Sequence, residues 1–272
     1  MASHQFYRSP TLPDLEIRHS SDNSSCFEPH SHETLSIGRL LSGTATFNYR
    51  GLQQATSPDD LCLINPQEIH ACRPDNADGW QYLMLYVAAD WYPAMLSEGG
   101  EKNGRLSFDA STQNRRELVR HYTDTCFALM QQEGLDQEVA LLELLDALAS
   151  DDRSTSAPQR PDCRIALNRS AEYIRANLHQ PVSLETLGQI SGLSPYHLQR
   201  SFRRQYGLSP ARFQHQCRIH EACRLLRRQV PIAEVAATTG YADQSHLYRW
   251  FRRMMDTTPG QYQQNRPLPY AC

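Results

Sequence analysis

One feature of this 272-residue chain constrains its folding more than any other: a stretch of its C-terminal half occurs twice. LETLGQISGLSPYHLQRSFRRQYGLSPARF, beginning at Leu184, returns as IAEVAATTGYADQSHLYRWFRRMMDTTPGQY, beginning at Ile232. Leu187 matches Val235 and Gly192 matches Gly240 at an offset of 48. His197 with His246, Phe202 with Phe251 and Pro210 with Pro259 are 49 apart, so the second copy carries one inserted residue at its turn. Each copy reads as a short apolar helix, a glycine-centred turn and an arginine-rich second helix, the layout of a helix-turn-helix.

The second helix of each copy has two faces. In the first, Leu198 and Phe202 form a docking stripe, while Tyr196, Gln199, Arg200 and Arg203 fall on the opposite face at helical spacing. In the second, Leu247, Phe251 and Met254 dock, and Ser245, Tyr248, Arg249 and Arg252 repeat the polar face. Arginine can bond guanine O6 and N7 together, glutamine can pair with adenine, and an aromatic ring can meet a thymine methyl. A single arginine on a helix face is usually just solvated, but the same set at equivalent places in two copies points to base reading. Between the copies, SPARFQHQCRIHEACRLLRRQ predicts a helix of 18 to 20 residues with Ser209 as N-cap, Pro210 in the first turn and an apolar stripe of Phe213, Cys217, Ala222 and Leu225. At 1.5 Å per residue it spans about 27 to 30 Å, near the roughly 34 Å between successive major-groove faces of B-DNA.

Charge divides the chain in the same way. Residues 1–163 hold 12 Lys and Arg against 24 Asp and Glu, a net of −12, while residues 164–272 hold 15 against 6, a net of +9. The basic part has the electrostatic footprint of a polyanion binder, and the acidic part would be repelled by the same polyanion.

From Ser31 to Val87 short runs, TLSIGRLL, TATFNY, LCLI and WQYLMLYV, are separated by Ser42-Gly43, Arg50-Gly51, Pro58-Asp59-Asp60 and Asn65-Pro66. That rhythm predicts an all-β sandwich or barrel. Ser111 to Ala149 changes to helical spacing, with two helices joined near Gly134. The second, EVALLELLDAL, is apolar over most of its circumference and is expected to pack on its own barrel and on another subunit. DDRSTSAPQRPD, from Asp151 to Asp162, has the composition of a linker. The segment before Ser31, with Phe6, Tyr7, Pro10 and Pro13, reads as a disordered terminus or an arm over a pocket.

Residues 164–266 resemble the C-terminal double helix-turn-helix domain of the AraC/XylS family of bacterial transcription regulators, with LETLGQISGLSPYHLQRSFRRQYGLSPARF, RIHEACRLL and IAEVAATTGYADQSHLYRWFRR followed by TTPGQY in family order. The resemblance implies that Tyr196, Gln199, Arg200, Gln244 and Arg249 belong to DNA-reading helices. Asp256 stands where the family usually has glycine, implying a left-handed residue under slight strain. FEPHSHETLSIGRLLSGTATFNYRG with DDLCLINPQEIHA resembles the cupin-like ligand-binding domain that precedes this module in many members. The sugar-binding members imply ligand contacts on the barrel interior at Glu28, His30, Cys72, Tyr82 and Met84, with Trp80 near the rim. That mixture suits a small polar metabolite.

Three histidines leave alternatives open. His30 and His32 are alternate strand residues and His70 follows the NPQEI turn, as in cupins that hold a metal. The cupin metal set also wants a Glu four or five residues after the second His, where this chain has Ser36 and Ile37, and Glu33 points to the wrong face of an extended segment. The histidines therefore line an organic pocket, hold a metal, or serve structural hydrogen bonds; the first is the expectation, with no metal and no cofactor.

The start, MASHQFYRSP, lacks the apolar core of a secretory signal, and no run approaches the roughly 18 apolar residues of a membrane span. Eight cysteines without a C-x-x-C read as reduced, mostly buried thiols in a cytoplasmic, nucleoid-associated bacterial protein. The expected fold is α+β multidomain. A cupin-like jelly-roll barrel (1–110) is followed by two dimerisation helices (111–150), a linker (151–163) and an all-α domain of two helix-turn-helix units joined by a long helix (164–272). The expected function is effector-controlled transcription regulation, with promoter DNA, RNA polymerase and a second copy of the chain as partners, no membrane and no enzymatic activity. The rivals are a metal-dependent cupin enzyme, a metal sensor fused to a DNA-binding domain, and a constitutive regulator whose barrel is only a scaffold.

Overall fold

The computed structural model describes residues 3–9, 12, 15–23, 25–76, 79–91, 108, 112–114, 116–131, 135–151 and 162–264. Contacts divide the chain into two units: one within residues 1–156, the other Ala157–Gln264 together with the short strand Phe27–His30.

The strands of the first part are β1 (Ser3–Arg8), β2 (Glu16–Asn23), β3 (Phe27–His30), β4 (Leu35–Ser42), β5 (Ala45–Tyr49), β6 (Leu52–Thr56), β7 (Asp60–Ile64), β8 (His70–Pro74), β9 (Trp80–Val87) and β10 (Thr112–Asn114). They form a six-stranded sheet, β1-β2-β9-β4-β7-β10, and a four-stranded sheet, β3-β8-β5-β6. The ladders are antiparallel, with Phe6 opposite Arg18, Arg18 opposite Met84 and Gly38 opposite both Met84 and Cys62. Side chains alternate between faces along each strand, and the register lines the alternation up across the sheet. Ile17, Leu35, Ile37, Leu61, Leu63, Leu83, Leu85 and Val87 point to one face and join the main core. Cys62, Ile64 and Met84 point to the other and meet Phe47, Tyr49 and Cys72 of the facing sheet.

The four strands expected from TLSIGRLL, TATFNY, LCLI and WQYLMLYV are β4, β5, β7 and β9. The reading of the segment before Ser31 as a terminal arm is corrected, because β1 and β2 are integral strands of the larger sheet and Phe6, Leu12, Leu15 and Ile17 are buried. Their polar alternate positions concealed them.

Two helices, α1 (Arg116–Gln131) and α2 (Leu135–Asp151), cover the outer face of the six-stranded sheet. Tyr122 donates from its hydroxyl to the carbonyls of Ile37 and Leu83 at 2.9 and 3.0 Å, tying α1 to two adjacent strands. Gln137 of α2 donates to the Tyr7 hydroxyl at 2.9 Å and accepts from Ser9 at 2.6 Å. Leu141, Leu144, Leu145 and Leu148 are buried in the same cluster as Ile17 and Leu83. The apolar circumference of α2 is therefore satisfied largely inside its own domain, which corrects the expectation that these leucines need another subunit.

The second unit is helical: α3 (Asp162–Ala176), α4 (Leu184–Ser191), α5 (Pro195–Tyr206), α6 (Pro210–Arg227), α7 (Ile232–Thr238), α8 (Gln244–Met255) and α9 (Pro259–Gln263). Short polar side chains start most of them. Ser183, Ser194, Ser209, Asp243 and Thr258 each accept a backbone N–H of the first turn. Gly192 ends α4 with φ 70°, and its counterpart Gly240 follows α7 with φ 76°. Asp256 ends α8 in the left-handed region, φ 55°, as the departure from the family pattern implied.

Helix α6 has the expected length and caps and is buried on several sides, including Phe213, Cys217, Ala222 and Leu226. Leu225, expected in the stripe, is half-buried, and Leu226 takes its place at the centre. Buried Arg218 donates to the carbonyls of Leu178 and Gln180 at 2.6 and 3.3 Å, and Gln214 donates to Gln180 at 2.6 Å. Among the described cysteines, Cys126, Cys217 and Cys223 are buried free thiols, Cys62 and Cys72 are partly buried, and Cys26 is exposed. No helix of the described residues is long and apolar enough to cross a membrane.

Candidate nucleic-acid interface and effector chamber

Each candidate reading helix is held by the stripe the sequence predicts, except that Met254, expected to dock with Leu247 and Phe251, is only half-buried. Leu198 and Phe202 of α5, and Leu247 and Phe251 of α8, are fully buried. Both helices pack against α6. Fixing one face leaves the other in solvent. Tyr196 is 71% exposed, Tyr248 is 41% exposed, and Gln199, Arg200, Arg203, Gln244, Ser245, Arg249 and Arg252 are all exposed. An exposed Tyr196 offers a flat apolar ring beside cations, which a solvated structural face does not require. Tyr196, Gln199, Arg200 and Arg203 line one open groove together with Arg204. Arg204 was missed in the sequence, although its place four residues after Arg200 was the available signal.

The second helix has a further anchor. His215 of α6 stacks on Trp250 of α8, ring centroids 3.7 Å apart and planes 11° from parallel, with Tyr241 and His246 around it. Burial, then the neighbouring charges of Arg218 and His246, pull the His215 pKa down to about 4, so the ring is neutral near pH 7. Tyr241 belongs to the lengthened second turn and is buried. The inserted residue thus comes with added packing beneath α8.

The expected effector residues divide. Along β9, Trp80, Tyr82, Met84 and Tyr86 alternate onto the face between the sheets. Trp80 and Tyr82 stack edge to face at 5.3 Å. Trp80 is buried, which corrects the expectation of a rim position. Met84 lies over Gly38, where an added Cβ would collide with its sulfur. Cys62 and Cys72 face the same interior, and burial holds both thiols protonated, Cys62 at a pKa of about 11. Glu28, expected to line the barrel, is exposed on β3. It is ion-paired with Arg253 at 3.1 Å and with Arg212, both in the unit to which Phe27–His30 is assigned. Those pairs, led by the Arg253 hydrogen bond, hold its pKa below the ordinary value.

The histidines are brought together. The rings of His32 and His70 are 5.0 Å apart, and His32 meets Tyr86 edge-on at 5.2 Å. His30, His32 and His70 each offer a ligand atom within 4.8 Å of the others. His30 and His70 face the carbonyls of Glu28 and Glu68 through Nδ1 at 2.7 and 3.1 Å. A carbonyl can only accept, so each Nδ1 carries a proton and directs the Nε2 lone pair away. Such a set fits an effector hydroxyl or a cation. The carboxylate that completes a cupin metal set is replaced by Ser36 and Ile37, the latter on the opposite, helix-covered face.

Sequence reading missed most of a wall of this chamber, His4, Arg8, Glu16, Arg18 and Ser20 on β1 and β2 and Tyr86 on β9, and offered Phe6 only as part of a terminal arm. Their register places them on the inner face with Tyr82 and Met84. Arg8 and Glu16 pair at 2.7 Å. Arg18 donates to His4 Nδ1 at 3.2 Å and lies 5.5 Å from the centroids of Phe6 and Tyr82. The one signal available in sequence was the even spacing of aromatic and Met residues in WQYLMLYV.

Two family models match the chain, one described as an AraC-like ligand binding domain over residues 12–149, the other as a helix-turn-helix domain over residues 187–265. The chain is 25% identical over 240 residues to the arabinose operon regulatory protein of Salmonella typhimurium, covering 83% of this chain and 82% of that one. It is 24% identical over 251 residues to the HTH-type transcriptional activator RhaS of Citrobacter koseri, covering 89% of each. Among solved structures, ToxT of Vibrio cholerae superposes with a TM-score of 0.58 at 11% identity, covering 96% of each chain, a likeness of fold.

Proposed function

The chain belongs to the AraC family of DNA-binding transcription regulators with an N-terminal ligand-binding domain, and from that premise we propose that α5 and α8 read two adjacent major grooves of a promoter while a small metabolite held between the barrel sheets controls the binding. The observation that carries this reading is the matched pair of exposed faces, Tyr196, Gln199, Arg200 and Arg203 on α5 and Gln244, Ser245, Tyr248, Arg249 and Arg252 on α8, each opposite a fully buried stripe. Both helices pack on one 18-residue connector, about 27 Å long at the usual rise. Their guanidiniums suit guanine edges, and the tyrosines suit thymine methyls.

His30, His32, His70, Cys72, Trp80, Tyr82 and Met84 form the proposed effector-facing set, with Glu28 excluded by its arginine pairs. The protein acts on DNA and RNA polymerase rather than as an enzyme, in the bacterial cytoplasm and at the nucleoid. The proposed homodimer uses the outward residues of α1 and α2, where Phe127 and Val139 are exposed.

Selection of operators from a randomised library by the full-length protein tests the reading. Arg200→Ala and Arg249→Ala are each expected to cost about 1 to 3 kcal/mol and to relax one base position, the two positions lying roughly 10 base pairs apart. Arg228→Ala, at the exposed end of α6, should weaken all sequences alike. An unchanged motif with Arg249→Ala would reduce the second unit to a backbone clamp. Metal analysis of the purified protein separates the two uses of the histidines: a stoichiometric ion would replace the metabolite reading with a metal-sensing one.

A further inference from the structure

We propose that the two helix-turn-helix units read A·T pairs by opposite edges, α5 holding the adenine through Gln199 and α8 the thymine methyl through Tyr248, so that the two halves of the operator respond oppositely to base modification; this deepens the reading of α5 and α8 as major-groove readers and rests on it.

The two helices start in the same frame. Ser194 caps α5 by accepting from the His197 N–H, and Asp243, 49 positions on, caps α8 by accepting from the His246 N–H. The residue inserted in the second turn therefore lies before the cap and shifts nothing within α8. The buried stripes keep the same interval, Leu198 with Leu247 and Phe202 with Phe251. With about 3.6 residues per turn in both helices, residues 49 positions apart leave the two helix surfaces at equivalent points. A difference in chemistry at such a pair is then a difference in what is read.

Two of the four exposed pairs are identical, Arg200 with Arg249 and Arg203 with Arg252. Arg200 and Arg249 each present the fork that guanine O6 and N7 accept, so a guanine is common to both halves. The residue just before each arginine differs, and it reaches the base pair beside that guanine. Gln199 carries an amide that can donate to adenine N7 and accept from adenine N6 at once, whereas guanine offers two acceptors there. Tyr248, 41% exposed, presents a flat ring that meets a thymine methyl and lacks the side-by-side donor and acceptor that adenine requires. One turn earlier, Tyr196 corresponds to Ser245, whose hydroxyl can pair with any base.

The support beneath the two faces differs as well. Trp250 replaces Ser201 and stacks on His215, and Arg253 lies over its ring at 5.6 Å. The equivalent Arg204 instead lines the groove of Tyr196, Gln199, Arg200 and Arg203. The repeat thus keeps the docking stripe and the guanine-reading arginine but changes the chemistry beside it. A consequence is selectivity for the modified state of the promoter. N6-methylation of adenine, which places a methyl where Gln199 accepts, acts on the α5 half, and loss of the thymine methyl acts on the α8 half.

Operators selected from a randomised library by the full-length protein, then altered by single groups, test this. Arg200→Ala and Arg249→Ala identify the half under each helix by the guanine each relaxes. In the α5 half, 7-deazaadenine or N6-methyladenine beside the guanine is expected to lower affinity about tenfold, with no effect in Gln199→Ala. In the α8 half, deoxyuridine in place of thymine is expected to lower affinity roughly fourfold, with no effect in Tyr248→Ala. Deoxyuridine in the α5 half and modified adenine in the α8 half should leave affinity unchanged. Gln199→Tyr combined with Tyr248→Gln should exchange the two responses at an unaltered Tm, since both positions are exposed. Equal responses in both halves, responses that persist in the alanine variants, responses that stay in place after the exchange, or a motif with no A·T pair beside either guanine would each overturn the proposal and leave the two-groove reading standing. A selected motif confined to one groove, or no motif at all, removes the two-groove reading and the proposal with it.

Discussion

His215 shows how one side chain ties stability to pH in the DNA-binding unit. Its ring is flat against Trp250, flanked by Tyr241, His246 and Arg218, and folding holds its pKa at about 4, below the ordinary 6.5. A folded pKa below the unfolded one means that the fold binds the neutral form. Its contribution is complete above about pH 6.5 and is lost progressively as the pH falls toward 4. Melting of the full-length protein between pH 7.5 and 5 is expected to show a falling Tm, and His215→Phe, which keeps the ring contact without the titration, should flatten that slope. An unaltered slope in the variant would assign the effect to other groups. None of this was legible in the sequence. HQCRIHEACR places His215 on a helix, but only the fold brings it to a tryptophan 35 positions later.

Elements show where matched sequence gives unmatched mechanics. Gly192 and Gly240 occupy equivalent turns and share the left-handed conformation. Nothing lies within 4 Å of a Cβ added at Gly192, whereas one at Gly240 would come within 2.7 Å of the backbone of His179. Gly192→Ala should cost only the left-handed strain, about 1 to 2 kcal/mol. Gly240→Ala should cost clearly more, since backbone must move, and should also weaken DNA binding by displacing the start of α8. Denaturant melts of both variants, with operator titrations, check the order. Helix α2 carries the opposite lesson. Leu141 and Leu145 are buried against α1 and the sheet, so Leu141→Asp or Leu145→Asp should unfold the barrel by at least several kcal/mol rather than yield a folded monomer. Val139→Asp, at an exposed position, should leave melting almost unchanged, and sedimentation of that variant reports whether this face pairs two copies.

At the scale of the whole molecule, the −12 and +9 of residues 1–163 and 164–272 act in opposition on DNA. Operator affinity of the full-length protein should fall steeply with added salt through counterion release, with log K linear in log salt. Neutralising exposed Arg203 or Arg252 should reduce the slope by roughly one where the side chain meets a phosphate. A flat salt response would contradict the electrostatic footprint.

The DNA-binding unit was open to sequence reading because its signals are local. Caps at Ser194, Ser209 and Asp243, glycines at the turns, and apolar residues every three or four positions are fixed within one helix and its neighbour. An exposed reading face needs no partner to be recognised. The effector chamber was only half open to it. Tyr82 and Met84 could be placed by alternation, but Glu16, Arg18 and Ser20 put polar groups on the inner face of β2, inverting the pattern that marks a half-buried strand. Which residues stand opposite Arg18 depends on antiparallel register across strands more than 60 residues apart in the chain, and no local rule contains that. Sequence by itself determined the repeated units, the long helix that joins them and the division of charge. Tertiary structure alone decided that Glu28 pairs with two arginines, that the leucines of α2 are consumed by their own core, and that a buried guanidinium stands on the inner face of β2, because each follows from pairing between distant segments rather than from the chemistry of any one of them.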